Sequence, residues 1–513
     1  MAPLLALLTG LFLFLSFPDP GMWFLAWFAL VPLFFAVHRV SIRQAALLGL
    51  LSGMALHVLL LYWILIVLGT YGYLPWWLSV PALLLLSLYL SLFPALFCVV
   101  VHWGIKGSPH LGLLSAPFLW VGLDYIKGHL FTGFPWSNLA YSQYKMPLLL
   151  QAADITGHYG ITFAIVLANC ILFTIISCYR EKTRLPLRHL IPALLILVAF
   201  MGYNLFCLHA LPEKIALADK TKIGLIQGNI RQDLKWAPEL QRQTVETYIN
   251  LSRQALAKGD VNLLIWPETA LPFYPLENPL FSSLIDETNK KQRVWLLTGA
   301  PHREQRAPGF PIDYYNSAFM ISPNGQITDR YDKMHLVPFG EYVPLRDFLP
   351  FLTPLVETIG DFTVGKNSHP LSCGKAEIGV LICFEGIFPE LARQNCLAGG
   401  NLLAAITNDA WFGRSSAPQQ HLSMVVLRAV ETRRSVARAA NTGISAFIDP
   451  LGRILATTSL FTTGYITAEV PLMTEATVYV RYGDLFAKFC LITVLLLIIF
   501  TLQRRSYVTR AER

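Results

Sequence analysis

The 513-residue chain is 54% hydrophobic and only 14% charged, well below the ~25% charge of soluble domains. So much apolar side chain cannot all be buried in a water-soluble fold of this size, and lipid must be part of the solvent. The formal net charge of +8 lies largely in short loops beside apolar runs, where membrane orientation explains it better than a nucleic-acid partner.

In chain order, apolar runs fall at about Leu4–Phe17, Met22–Val37, Ala45–Leu68, Leu78–Trp103, Leu111–Ile126, Ile161–Ser177, Leu190–Leu208 and Phe486–Leu502. A helix needs roughly 20 apolar residues to cross a bilayer, with ~17 as the lower limit. The runs predict a multi-pass α-helical bundle of about eight spans. About seven lie within 1–210 and a final one at 484–503, although the first and fifth runs are short and the fifth carries Asp124. Leu4–Phe17 lacks a basic start and continues through Pro18-Asp19-Pro20-Gly21 into the next run, which predicts a retained hairpin rather than a cleaved signal peptide.

Loop charges give an orientation. With the N-terminus in the cytoplasm, the inside loops His38–Gln44, Gly104–His110 and Tyr179–His189 carry Arg39, Arg43, Lys106, Arg180, Lys182, Arg184 and Arg188. The tail, 504–513, adds Arg504, Arg505, Arg510 and Arg513. The outside connections Pro18–Gly21 and Gly69–Trp77 hold no Lys or Arg, as the positive-inside rule requires. The outside loop Lys127–Gly160 is long and aromatic, with Phe131, Phe134, Trp136, Tyr141, Tyr144 and Tyr159. Phe134, Trp136 and Tyr141 are candidates for a lipid entry; the other reading of the loop is an interfacial aromatic belt. His57 and Asp124 are polar candidates within spans.

The insert before the last span, 221–480, faces outwards in this topology and reads differently. Short β-rich runs recur at Ile223–Gln227, Leu263–Trp266, Val294–Thr298, Ser317–Ile321, Ile378–Cys383, Leu402–Thr407 and Ser445–Asp449. Amphipathic stretches such as Pro238–Ala257 and His421–Val436 lie between some of them, which predicts a layered α/β domain. Five of the eight cysteines sit in or beside apolar runs, leaving Cys373, Cys383 and Cys396 in the insert. A Cys373–Cys396 disulfide is open at this stage. Among the twelve histidines there is no metal motif, and no glycine-rich phosphate loop or nucleic-acid signature is visible, so no cofactor is expected.

Three spots in the insert have the residue types of covalent catalysis: Trp266-Pro267-Glu268, the stretch Lys333–Pro344 and Cys383-Phe384-Glu385. Two of them directly follow apolar strands, where α/β folds display reactive groups. A thiol of ordinary pKa ≈ 8.5 needs a base or cation to become a useful nucleophile. Glu268 is the candidate base, Lys333 a fixed positive charge for a developing oxyanion, and the Phe384 backbone N–H a second donor. Taken singly each has a plainer account: a buried core cysteine, a solvated carboxylate, a surface lysine.

In this order Glu, Lys and Cys resemble the nitrilase, or carbon–nitrogen hydrolase, superfamily. The spans on either side make the chain similar to its membrane branch, the bacterial apolipoprotein N-acyltransferases. The resemblance extends from Phe17-Pro18 and Trp27–Pro32 through Phe134-Pro135-Trp136, Ile226–Asn229, Trp266–Glu268 and Lys333–Pro344 to Cys383–Glu385 and Thr407–Gly413. It implies an αββα sandwich on a transmembrane bundle, held in the periplasm. The implied reaction moves an acyl chain from a phospholipid (sn-1 of phosphatidylethanolamine) through a thioester on Cys383. The acceptor is the α-amino group of an apolipoprotein's diacylglyceryl-cysteine, and the enzyme is expected as a monomer in the bacterial inner membrane. By the same match Glu268 is the base and Lys333 stabilises the oxyanion. Glu341, Glu385, Phe384, Trp236, Asn316, Asn408 and Trp411 support or line the pocket. Many relatives carry Tyr where this chain has Phe384. Two competing readings use the same residues differently: a membrane-tethered nitrilase-type amidase, and a non-catalytic transport or assembly factor.

Overall fold

The computed structural model describes residues 1–107, 113–278, 293–305, 307–309, 311–342 and 362–511, without the side chains of 105–107, 502 and 504–511. The expectations for Lys106, 108–110, Leu111, Val343-Pro344, Arg504, Arg505, Arg510 and Arg513 fall outside what is described. Two compact units result: one from Met1–Leu65, Pro75–His209 and Tyr482–Arg513, the other from Ile66–Leu74 and Ala210–Arg481.

The first unit is helical. Its main helices are α1 (Ala2–Ser16), α2 (Val31–Val37), α3 (Ile42–Leu60), α4 (Trp76–Gly107), α5 (Ala116–His129) and α6 (His158–Glu181). With α7 (Leu187–Leu217), α3, α4 and α6 are the four described helices long and apolar enough to cross a membrane. Three shorter apolar helical stretches, Ala2–Ser16, Trp23–Val37 and Leu485–Thr501, accompany them among the described residues. The expectation of a multi-pass helical bundle is thus met by several apolar helices, four of them of spanning length among the described residues.

The run expected at Met22–Val37 is not one helix. A 3-10 turn, Trp23–Trp27, gives way to α2, which restarts with a proline in its first turn. Backbone groups freed in an apolar interior need partners, and buried Asn169 on α6 supplies them. Leu30 N–H donates to its Oδ1 at 2.8 Å, and its Nδ2 donates to the Ala26 carbonyl at 2.9 Å. Helices α3 and α4 touch through Gly49 and Gly53, where an added Cβ would collide with Pro94 O and come within 2.8 Å of Ser91. Small residues let apolar helices meet at their backbones.

The second unit is a two-sheet sandwich. One sheet runs β12-β1-β2-β3-β4-β5, from Gly464–Pro471, Lys220–Gln227, Leu263–Ile265, Trp295–Gln305, Ile312–Ile321 and Ile327–Asp332. The other runs β11-β10-β9-β8-β7-β6, from Ile454–Thr457, Ala446–Ile448, Ser435–Ala440, Leu402–Thr407, Ala376–Ile382 and Leu371–Cys373. Alternate side chains such as Ile223, Leu263, Leu297 and Met320 from the first meet Ile378, Val380, Leu402 and Ala437 from the second in one buried core. On the outer face of the first sheet lies α8 (Gln241–Leu256), packing Val245, Tyr248 and Ile249 against Leu264, Leu296 and Phe319. On the outer face of the second lie α9 (Pro389–Leu397) against β7 and α10 (Ala417–Thr432) against β9. The layering is αββα.

The expected boundaries shift in two places. Helix α10 spans Ala417–Thr432 rather than His421–Val436, because Arg433 takes a left-handed cap and the chain turns straight into β9. Lys127 belongs to the end of α5, and the aromatic loop begins after it. Cys373 and Cys396 are both free, buried thiols.

Candidate active site

β1, β2 and β3 are parallel, and two antiparallel steps return β5 to the same direction; β7, β8 and β9 are also parallel. Four of the candidate residues stand where these strands stop. Glu268 follows β2, Lys333 follows β5, Cys383 follows β7 and Asn408 follows β8.

Local chemistry fixes each one. The turn carrying Glu268 crosses β3 at Gly299, where a Cβ would stand 2.5 Å from Thr269 N and 2.6 Å from Glu268 Cα; only glycine allows that approach. Cys383 begins a 3-10 turn, Cys383–Ile387, with φ of 52°. A non-glycine residue in the left-handed region stores strain and persists only where its surroundings hold it. Here His421 on α10 holds the Cys383 carbonyl, its Nε2 at 3.0 Å. His421 is set in turn by Asp409 at 3.2 Å, whose other oxygen takes a 2.7 Å hydrogen bond from Arg438. All three are buried.

The residues converge. Glu268 accepts from Asn316 Nδ2 at 2.8 Å on one oxygen and from the Asn408 backbone N–H at 2.7 Å on the other. Lys333 Nζ donates to Glu341 at 2.9 Å and lies 3.9 Å from Glu268. Asn316 also donates to Glu341 at 3.0 Å, and Val337 N–H donates to that carboxylate's second oxygen at 2.8 Å. Glu268, Lys333, Glu341, Asn316 and Asn408 are all buried, and Cys383 is partly exposed.

Glu385 has a different place. Its carboxylate accepts from Tyr331 OH at 2.9 Å, Met334 N–H at 2.6 Å, His335 N–H at 3.1 Å and Ile382 N–H at 2.7 Å. It therefore ties the turn that presents Lys333 to the strand that presents Cys383. Burial pushes its carboxyl up to about 7, against the pull of these donors.

The charges define the resting state. Burial pushes the Cys383 thiol well above its ordinary value, the Glu268 carboxylate adds to that, and Lys333 opposes it. Burial works against the Lys333 ammonium, but Glu341 and Glu268 outweigh it and hold its pKa above the usual value. The nucleophile rests as a thiol beside a fixed cation.

Of the other expected residues, Phe384 stacks edge-on against Phe388 at 5.1 Å and packs near His335 at 5.7 Å. Trp236 is half exposed, and Trp411 meets Tyr71 edge-to-face at 5.8 Å. In the helical unit, Phe134 stacks on Trp136 at 5.8 Å, and Trp136 lies 4.9 Å from Trp63. Trp136 and Tyr141 are interior residues, the latter stacked on His158. His57 lies between Ser91 and Ser137, and Lys127 bridges Asp124 at 2.9 Å and Ser137 at 3.2 Å. Sequence reasoning passed over Lys235, His421, Asp409 and Arg438. His421 and Arg438 sit in helical or alanine-rich runs that read as core, and Asp409 lies in the Thr407–Gly413 motif without a role of its own.

The chain is similar to known proteins along nearly its whole length. The family profile described as the apolipoprotein N-acyltransferase N-terminal domain matches residues 9–171, and that of the carbon-nitrogen hydrolases matches residues 222–478. An apolipoprotein N-acyltransferase from Geobacter metallireducens is 46% identical over 505 residues, covering 98% of this chain and 96% of the relative. One from Photobacterium profundum is 30% identical, covering 98% and 95%. Among solved structures, a carbon-nitrogen hydrolase from Helicobacter pylori aligns with 52% of this chain and 94% of its own at 21% identity and a TM-score of 0.38. An amidase from Nesterenkonia sp. aligns with 52% and 96% at 20% identity and a TM-score of 0.39.

Proposed function

We infer the reaction from one premise: the chain belongs to the apolipoprotein N-acyltransferase family. It is an enzyme that transfers an acyl chain to the N-terminal amine of apolipoproteins. The donor is a membrane phospholipid, phosphatidylethanolamine at its sn-1 ester, and the acceptor is the α-amino group of a diacylglyceryl-cysteine. The observation that carries the reading is the convergence of Glu268, Lys333 and Cys383 from three distant segments into one largely buried site.

The mechanism follows from the resting charges. A thiol with a raised pKa is not a nucleophile until its proton leaves, so Glu268 accepts that proton as sulfur attacks the ester carbonyl. Lys333 and the Phe384 backbone N–H face the negative oxygen of the tetrahedral intermediate. The carbon–oxygen bond of the ester breaks, the departing lysophospholipid oxygen takes the proton back from Glu268, and a thioester remains on Cys383. The lipoprotein amine then attacks the thioester carbonyl and passes a proton to Glu268. The carbon–sulfur bond breaks, and the thiolate recovers that proton. Glu341 and Asn316 hold the cation and base in register, and Glu385 holds the two strand ends.

Both lipid substrates favour an enzyme that stays at the bilayer, since each buried CH₂ is worth ~0.8 kcal/mol. In our reading about eight spans hold the catalytic unit, 221–480, on the periplasmic face of the inner membrane, and the protein acts as a monomer. The aromatic loop contributes Phe134, Trp136 and Tyr141 to lipid entry, and Trp236 and Trp411 line the pocket. The test is intact-mass spectrometry after incubation with phosphatidylethanolamine, beside Cys383→Ala. A hydroxylamine-labile acyl adduct on the parent only, discharged by a diacylated lipopeptide with a free amine, is expected. An adduct cleared only by water would make the protein an amidase, and full cellular activity of Cys383→Ala would remove catalysis altogether.

A further inference from the structure

A second lysine enters this site from a connection rather than from a strand end. Lys235, in the connection between β1 and α8, is buried to 1% exposure although its neighbours Leu234 and Trp236 are exposed. Its ammonium donates to the Glu268 carbonyl at 3.2 Å and to Thr269 Oγ1 at 2.5 Å. Thr269 is itself held at a φ of 46°, a conformation that costs a non-glycine residue free energy and needs outside support. The two hydrogen bonds from Lys235 clasp the turn on which the carboxylate of Glu268 is mounted.

The electrostatics of the site point to the same residue. Lys333 is hydrogen-bonded to Glu341, and that pair is neutral taken together. Glu268 then remains a buried anion, which is costly without a partner. Lys235 supplies the balancing charge, and both Glu268 and Cys383 lie within its electrostatic reach. When a proton passes from sulfur to Glu268, the negative charge moves from one neighbour of Lys235 to the other.

Resting on the thioester mechanism above, we propose that Lys235 is a positioning residue of this catalytic centre, clasping the Glu268–Thr269 turn and compensating the negative charge that shuttles between Glu268 and Cys383. The titratable groups around it are Glu268 from the end of β2 and Cys383 from the end of β7. Behind them stand Lys333 and Glu341 from the β5 side, and Asp409 from the end of β8, which Cys383 senses. Burial lowers the Lys235 ammonium to about 8, with Glu268 and Cys383 opposing the shift. Its charge is therefore present below that pH and lost above it.

The experiment measures single-turnover acylation of the full-length enzyme in phosphatidylethanolamine-containing micelles, as adduct mass against time from pH 6 to pH 10. Parent, Lys235→Met and Lys235→Arg are compared. Removing the charge is expected to slow acylation by about 10²–10³-fold, the usual effect of deleting one preorganised electrostatic group. The parent is expected to lose rate as pH rises through about 8. Lys235→Met should lack that limb, and Lys235→Arg should move it to higher pH. A Lys235→Met profile with the parent's shape, whatever its height, overturns the proposal, because a merely structural loss lowers the curve without reshaping it. Failure of the underlying mechanism reads differently: the parent itself would then form no adduct at any pH.

Discussion

Glu268 and Lys333 stand 3.9 Å apart, while the same ammonium is hydrogen-bonded to Glu341 at 2.9 Å. The cation is thus held beside the base without sharing a proton with it. Glu341→Gln removes the stronger partner and frees Lys333 to close on Glu268, where an ion pair would occupy the oxygen that must receive the thiol proton. The expected result is thioester formation slowed by about 10²–10³-fold, within the range of a lost general base, in a protein that still folds. Mass-resolved acylation at the parent rate would show that Glu341 does not restrain the lysine.

Gly299 offers a purely steric test. A methyl group there meets the backbone of Pro267–Thr269 at 2.5–2.7 Å, and backbone cannot rotate away as a side chain can. Gly299→Ala should cost about 1–3 kcal/mol of stability, as overpacking does, and should displace the base. Acylation is expected to fall further than the melting temperature alone would explain. A variant as active as the parent would mean that the turn has slack.

The buried cluster behind the nucleophile sets an acid limit. Burial works against the Asp409 carboxylate, but Arg438, His421 and Thr407 outweigh it and hold the group at about 2. A carboxylate with a depressed pKa contributes stability that is complete above its ordinary value and is lost as pH falls towards the depressed one. Asp409→Asn should cost about 3–5 kcal/mol near neutrality, because it leaves Arg438 buried without its anion. The gap in melting temperature between parent and variant should narrow as pH drops from about 4 to about 2. A gap constant over that range would contradict the assignment.

Thiol accessibility gives a fourth check. Seven of the eight cysteines are buried, and Cys383 is partly exposed. Native protein treated with a small maleimide should gain one label, and Cys383→Ser none. Because burial and Glu268 hold the thiol pKa high, labelling should accelerate with rising pH. Several labels under native conditions would indicate a looser fold.

The sequence displayed the reactive core because Glu268 and Cys383 each end an apolar strand, a pattern that needs no knowledge of the tertiary structure. Other parts were hidden for physical reasons. Ser435–Ala440 contains a buried arginine and three alanines, so it lacks the β-branched signature of a strand, and the helical reading His421–Val436 runs into its first two residues. Ile327–Asp332 is mostly polar, as a strand with one half-solvated face can be. The break at Phe28–Leu30 depends on Asn169, about 140 residues away, and no local pattern reports such a partner. Lys235 lies in a connection where a lysine would ordinarily be solvated, and only the folded chain shows that it is enclosed.

Glu268 and Lys333 belong to one sheet, and Cys383 and Asn408 to the other. The first sheet is completed only by β12, Gly464–Pro471, which is synthesised after every strand of the second. The sandwich that brings the base and the nucleophile together is therefore assembled from segments on both sides of Cys383 in the chain, and its outermost strand is the last to be made.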